Sequence, residues 1–195
     1  DDVASVAVAP LIDKVDQATA PSLSLSALFA DNDPIFESTQ ANDLVRELHE
    51  RAVKKDPGLW ASRLSLALGV AEKKGAAEGV PLLEHLAVEF PGVPDVLMAL
   101  ARVYGELGWT VEHSRTIKKL VAQFPDDLGA LHAAVDVYDA EGDARTVDAL
   151  LGRIKQQDRD DEVVLTRALA REDYTTAVAE LERLAKLHPD RKELA

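Results

Sequence analysis

The sequence predicts an all-α fold built from successive pairs of helices. The first observation is a period: Pro57, Pro91 and Pro125 stand 34 residues apart, each after an amphipathic stretch. The second is the spacing of apolar residues inside the period, at i, i+3, i+4 and i+7, which is the spacing of one helix face. The third is a glycine between the two helical patterns, at Gly108 and Gly142, because glycine commonly follows a helix end.

The two helical patterns of each period can be placed by residue. The first helix carries an apolar set that recurs 34 residues later: Leu97, Leu100, Ala101 and Tyr104, then Leu131, Ala134, Val135 and Tyr138. The second helix carries a further set in each period: Ile117, Leu120 and Val121, then Leu150, Leu151 and Ile154. Asp143 and Asp173 precede second helices and are predicted N-caps, because a carboxylate there accepts hydrogen bonds from free backbone amides.

These features resemble the tetratricopeptide repeat (TPR), a helix–turn–helix unit of 34 residues. The resemblance covers about residues 42–189. It divides a repeat domain at 41–195 into full repeats near 60–93, 94–127 and 128–161 and a short terminal repeat at 162–190. The small residue of the second helix matches at Gly79 and Ala177, whereas His113 and Val147 are bulkier. The resemblance implies a right-handed α-solenoid of antiparallel helix pairs with a 34-residue repeat.

Two irregularities interrupt the pattern. Pro81 is tolerated only in the first turn of a helix, so we expect the second helix of repeat 60–93 to begin late, near Gly79. The terminal repeat is four residues short, about one helical turn. It is expected to be a short cap whose leucines face inward: Leu165, Leu169, Leu181 and Leu184.

The first forty residues do not fit the repeat. Residues 1–40 contain seven acidic side chains against the single base Lys14, and Pro10, Pro21 and Pro34 interrupt them. They are interpreted as an acidic N-terminal cap packed on the helix predicted at 41–55. A partly ordered acidic arm is the alternative interpretation.

No pattern of residues predicts an enzyme. The chain has no cysteine, and its five histidines are scattered without metal-ligand spacing. Nucleophile-elbow, phosphate-loop and dinucleotide motifs do not occur. We therefore expect no catalytic residues, no cofactor and no metal. The net charge of −13 would repel a phosphate backbone, so nucleic acid is not an expected partner.

The location of the protein is left open by the sequence. No stretch approaches the roughly 18 consecutive apolar residues of a membrane span. The chain begins at Asp1 rather than Met, as an excised fragment or a processed mature protein would. The composition favours a soluble bacterial protein, cytoplasmic or periplasmic.

The resemblance implies that the first helices line a concave groove for a ligand. The candidate partner-binding residues are the groove positions with apolar or charged side chains: Leu64, Leu68, Met98, Arg102, His132 and Asp136. In this interpretation Leu68 and Met98 contact an amphipathic helix or extended peptide, and Arg102 pairs with one of its acidic groups. Alternatively, Arg102 pairs with Glu106 at i+4, and Leu68 and Met98 pack between neighbouring helices.

The favoured function is a scaffold or adaptor that binds a protein or peptide, and the negative net charge favours a basic partner. Two alternatives belong to other classes. The chain could be the non-catalytic helical arm of a larger bacterial enzyme, such as a hydrolase or transglutaminase-like protein. It could also be a self-association module, and the sequence leaves its oligomeric state open.

Overall fold

The computed structural model describes residues 18–32 and 39–188, and the parts of the predicted acidic cap at 1–17 and 33–38 lie outside them. The described residues form ten α-helices: α1 (Ala20–Asn32), α2 (Thr39–Lys55), α3 (Trp60–Lys74), α4 (Ala76–Glu89), α5 (Pro94–Glu106), α6 (Thr110–Gln123), α7 (Leu128–Ala140), α8 (Ala144–Gln157), α9 (Val163–Ala170) and α10 (Tyr174–Leu187). Among the described helices, none is long and apolar enough to cross a bilayer.

The chain divides into two compact bodies, residues 1–113 and 114–195, with the boundary inside α6. We call them the N-terminal body and the C-terminal body. In the N-terminal body α1 packs on α2, α3 on α4, and α4 on α5. In the C-terminal body α7 packs on α8, and α9 on α10.

The predicted 34-residue repeat of helix pairs is confirmed by where the helices begin. The first helices α3, α5 and α7 begin at residues 60, 94 and 128, and the second helices α4, α6 and α8 begin at residues 76, 110 and 144. Each start is 34 residues after the last. The final second helix, α10, begins only 30 residues after α8, and its partner α9 has 8 residues.

Turns within the helix pairs use the left-handed backbone region. Gly108 and Gly142 have φ values of 70° and 77°, and Glu172 takes the equivalent place in the last repeat with φ 57°. Asp143 and Asp173 then cap α8 and α10, as predicted, each accepting a backbone amide hydrogen bond three residues on. The reversal between helices is therefore fixed by one left-handed residue and one carboxylate.

The core is formed by the helix faces that the sequence identified. On the first helices, the buried members of the set are Leu97, Leu100, Ala101, Tyr104, Leu131, Ala134 and Val135. On the second helices they are Ile117, Leu120, Leu150 and Ile154. A separate cluster joins Leu23 and Ala27 of α1 to Leu48 and Ala52 of α2.

The start of α4 differs from the prediction. We expected this helix to begin near Gly79, yet it begins at Ala76 and contains Pro81 in its interior. Gly75, with φ 107°, reverses the chain in a single residue between α3 and α4. A Cβ on Gly79 would lie 2.5 Å from the Ala71 Cβ. This close approach depends on the missing side chain of Gly79. The start at Ala76 places Pro81 inside α4, at the cost of one backbone hydrogen bond.

The predicted inward position of Leu169 is wrong. Leu165 and Leu184 are buried with Ala168 and Ala177, and Leu181 packs against them, but Leu169 is 51% exposed. With only two turns, α9 has room for one short apolar stripe, which Leu165 and Ala168 occupy. Leu169 then points away from that stripe.

Candidate functional site

Four of the six candidate residues lie on neighbouring first helices of the N-terminal body. Leu64 and Leu68 are one helical turn apart on α3, and Met98 and Arg102 occupy the equivalent positions on α5, which contacts α3. We call these four residues the α3–α5 face. Leu64, Leu68 and Met98 are half-buried and Arg102 is exposed. Three apolar side chains thus remain partly accessible beside one cation.

Arg102 has an internal partner. Its Nε lies 3.8 Å from Oε1 of Glu106, one turn further along α5, and both side chains are more than half exposed. This is the i+4 pairing that the alternative interpretation of the sequence names. An exposed pair at this distance contributes about 0–1 kcal/mol, so it is a weak competitor for any ligand that approaches Arg102.

The surroundings of the α3–α5 face are acidic. Glu72 lies one helical turn after Leu68 on α3. Asp95 lies one turn before Met98 on α5, and Glu106 one turn after Arg102. All three acidic side chains are exposed. Arg102 neutralises part of this charge through Glu106. The face therefore offers an apolar strip with an excess of carboxylates beside it.

The two remaining candidates, His132 and Asp136, lie on α7 in the C-terminal body and are engaged within it. Nε2 of His132 lies 2.7 Å from Oδ2 of Asp161, whose side chain is only 10% exposed. A carboxylate oxygen of Asp136 lies 3.4 Å from a guanidinium nitrogen of Arg167 on α9. His132 is therefore paired with the last residue of its own repeat, and Asp136 with a residue of the following repeat.

Asp139, three residues further along α7, takes part in the same contact between α7 and α9. It pairs with Arg171 and, at 2.7 Å, with Arg167. The hydrogen bond from Arg171, followed by those from Arg167, holds the pKa of Asp139 below its usual value. Sequence reasoning did not find these arginines as partners. The sequence did contain one signal of this pairing: Arg167 follows Asp136 by about one repeat length, so the two residues lie at nearly equivalent positions of successive first helices.

Neither surface has the make-up of a metal centre. Within residues 18–32 and 39–188, no three His, Cys, Asp or Glu side chains come together as a metal site would require. The surfaces carry half-buried apolar side chains and charged groups.

Solved structures with this fold are tetratricopeptide-repeat proteins. A thermophilic TPR protein from Thermus thermophilus has a TM-score of 0.63 and 15% identity, covering 90% of this chain and 95% of that one. A tetratricopeptide repeat protein from Parabacteroides merdae has a TM-score of 0.63 and 15% identity over 90% of this chain and 69% of its own. YrrB, described as a TPR protein with an unusual peptide-binding site, has a TM-score of 0.54 and 14% identity, covering 86% and 87%.

The sequence itself matches no protein-family model and no curated protein. The structural likeness is therefore one of fold, and the chain has the TPR fold: all-α, with helices in sequential antiparallel pairs.

Proposed function

We propose that this protein is a non-catalytic interaction scaffold that binds an amphipathic segment of a partner protein on the α3–α5 face. The observation that carries the proposal is the partial exposure of Leu64, Leu68 and Met98 at equivalent positions of neighbouring first helices. Leucine and methionine side chains left half-open on a helix surface gain free energy when a partner covers them. The peptide-binding site reported for YrrB supports the same use of this fold.

The charge around the face favours a partner that is apolar on one side and basic on the other. Glu72, Asp95 and Glu106 stand beside the apolar strip and outnumber Arg102. The whole chain adds a net charge of −13. Lysine or arginine side chains at the edge of the bound segment would meet these carboxylates, and opposite charge at the rim speeds encounter and fixes orientation.

A labelled helical peptide of leucine and lysine, with leucines at i, i+3, i+4 and i+7, tests the proposal by fluorescence anisotropy. Leu68→Asp should weaken its binding about tenfold or more, because it places a charge at the centre of the apolar strip. Leu82→Asp is the matched control, since Leu82 is 43% exposed on the second helix α4. Its affinity should stay within about twofold of wild type.

Two results would contradict this assignment. Equal losses in the Leu68 and Leu82 variants would mean that the peptide does not bind specifically on the α3–α5 face. Equal binding of a peptide in which glutamate replaces every lysine would show that the acidic side chains around the face do not select the partner.

A second candidate function, self-association, is favoured by the last helix pair. Leu169, Tyr174 and Val178 are 51%, 65% and 53% exposed, and they are among the large apolar residues most open to solvent. A second copy would bury them. Sedimentation velocity across a concentration series tests this idea: a dimer should form and be lost in Val178→Asp, whereas a wild-type monomer at all concentrations would rule it out.

A further inference from the structure

The terminal helix pair α9–α10 has an apolar core of its own, and that core is small. Leu165 and Ala168 of α9 pack with Ala177 and Leu184 of α10, and Leu181 lies against them. Two of these five side chains are alanines, and α9 has only 8 residues. The pair therefore has few large apolar side chains in its own core.

Charged groups join the first helices α7 and α9. Arg167 reaches both Asp136, at 3.4 Å, and Asp139, at 2.7 Å, and Arg171 contacts Asp139 as well. The side chain of Arg167 is only 14% exposed, so part of this contact is shielded from water. Two arginines of the last repeat are thus held by two carboxylates of the repeat before it.

A second set of charges joins the second helices α8 and α10. Lys155 of α8 pairs with Glu180 of α10, and Nε of Arg183 donates to Glu180 at 2.6 Å. Glu180 is only 8% exposed. The equivalent residue 30 positions earlier is the buried Leu150, so an ion pair lies here where the preceding repeat has an apolar side chain.

The loop between α8 and α9 is held from both sides. His132 of α7 contacts Asp161 at 2.7 Å, and Nε2 of His188, which follows α10, lies 2.8 Å from Oδ1 of Asp160. Arg183 also donates to the backbone carbonyls of Arg159 and Asp161. The turn that leads into the terminal pair is therefore held by polar contacts, of which those from Arg183 are to uncharged carbonyl groups.

In the N-terminal body, successive repeats are in contact through α4 and α5. Large apolar side chains on these two helices are buried: Leu83, Leu86, Val96, Leu97 and Leu100. Apolar contact is insensitive to screening by salt, whereas contact between partly exposed charges weakens as ionic strength rises.

We propose that ion pairs hold α9–α10 on α7–α8 and that the two helices are released as one unit when ionic strength rises. We call these ion pairs the latch: Asp136 and Asp139 with Arg167 and Arg171, and Lys155 with Glu180. Screening weakens the pairs of opposite charge, and it acts first on those with the most exposed side chains, such as Arg171 with Asp139. The apolar cluster within α9–α10 does not depend on those pairs, so the two helices leave α7–α8 before the rest of the C-terminal body opens. Ionic strength, or a competing polyanion or polycation, would thereby change which surface ends the stack of helices.

Hydrogen exchange of the full chain, followed by mass spectrometry, tests the latch. Exchange of residues 163–187 should rise about tenfold between about 0.05 M and about 1 M NaCl, while residues 128–157 keep their protection. At low salt, Lys155→Glu should produce the same selective rise, because it sets a second carboxylate against Glu180. Lys119→Glu is the matched control, since Lys119 is exposed on α6 and the change in net charge is identical.

Two outcomes would overturn the latch. One is exchange in residues 163–187 that does not change with salt, and the other is exchange that rises in step with residues 128–157. The salt series needs no variant, so it decides the question even if Lys155→Glu does not fold. Lys155→Met provides a milder variant, which should give an intermediate rise at low salt and a smaller further response to salt.

Discussion

At the scale of single residues, the two helices of a repeat approach closely at one position on each helix, and a large residue at one position is matched by a small residue at the other. In repeat 60–93 the close approach pairs Gly79 with Ala71. In the next repeat the equivalent residues are His113 and Gly105, and a Cβ on Gly105 would lie 3.4 Å from the His113 ring. The glycine therefore lies on the second helix in repeat 60–93 and on the first helix in the next repeat. The bulky histidine that breaks the repeat signature is therefore accommodated by a glycine eight residues before it.

This exchange of volume predicts a cost for Gly79→Ala. The new methyl group would lie 2.5 Å from the Ala71 Cβ, so α3 and α4 must move apart. We expect the free energy of unfolding to fall by about 1–3 kcal/mol in urea denaturation. Gly69→Ala is the control, because nothing lies within 4 Å of its added Cβ. It should stabilise by up to about 1 kcal/mol, and a similar loss in both variants would contradict the close-approach argument.

Glu172 is the only described residue other than glycine with a positive φ, and it predicts a stabilising change. Its φ of 57° matches the turn positions that Gly108 and Gly142 fill in earlier repeats. Glu172→Gly should raise the free energy of unfolding in urea by up to about 1 kcal/mol, because left-handed backbone costs an ordinary residue about 1–2 kcal/mol. Glu182→Gly, an exposed position inside α10, should instead lose about 1 kcal/mol. A loss at both positions would mean that Glu172 is not strained.

At the scale of helices, the sequence predicted the helix positions correctly wherever residues close in sequence determine them. The proline period, the glycine turns and the aspartate caps placed second helices at equal spacing, as found for α6 and α8. The start of α4 was missed because Pro81 was expected in the first turn of the helix, whereas the tight turn at Gly75 lets the helix begin at Ala76. Leu169 was missed because the apolar period alone does not show which residues a helix of two turns can bury.

The sequence predicted where the candidate residues lie on the helices, but it did not predict which side chains they contact. Register along the repeat places Leu68 and Arg102 at equivalent points of α3 and α5, which the structure shows as neighbouring helices. Register does not reveal which charges already have partners. Asp136 and His132 are paired with groups 31 and 29 residues away, and such pairing depends on side-chain reach across helices. Arg102, by contrast, has the i+4 partner that helix geometry alone predicts.

The ion pair between α8 and α10 predicts a pH dependence. Burial acts to raise the pKa of Glu180, but hydrogen bonds from Lys155 and Arg183 outweigh it and hold that pKa below its usual 4.5. A carboxyl with a lowered pKa in the folded state stabilises above its usual pKa, and that stability is lost as pH falls through the lowered value. Glu180→Gln should therefore cost about 2 kcal/mol at pH about 7 and progressively less below pH about 4.5.

Urea unfolding followed by circular dichroism across that pH range measures the effect. Glu182→Gln, on the exposed side of the same helix, is the control and should follow the wild type at every pH. A difference between Glu180→Gln and wild type that stays constant as pH falls would show that the variant acts through packing rather than through the charge of Glu180.

At the scale of the whole molecule, 35 acidic against 22 basic side chains give a field that acts before any contact forms. Such a field changes the rate of encounter with a basic partner, while the apolar strip of the α3–α5 face controls how long the partner stays. The two contributions are therefore separable in kinetics. The proposed scaffold function requires both, because charge alone would attract any basic peptide without selecting one.

Stopped-flow measurements with the leucine–lysine peptide separate them. The association rate constant should fall about tenfold between about 0.05 M and about 0.5 M NaCl, because the added ions screen the field of the chain. Leu68→Asp should leave association unchanged or slightly faster, since it adds negative charge, and should speed dissociation about tenfold. An association rate insensitive to salt would show that the net charge does not select the partner. A slow-dissociating Leu68→Asp complex would show that the peptide is retained somewhere other than the α3–α5 face.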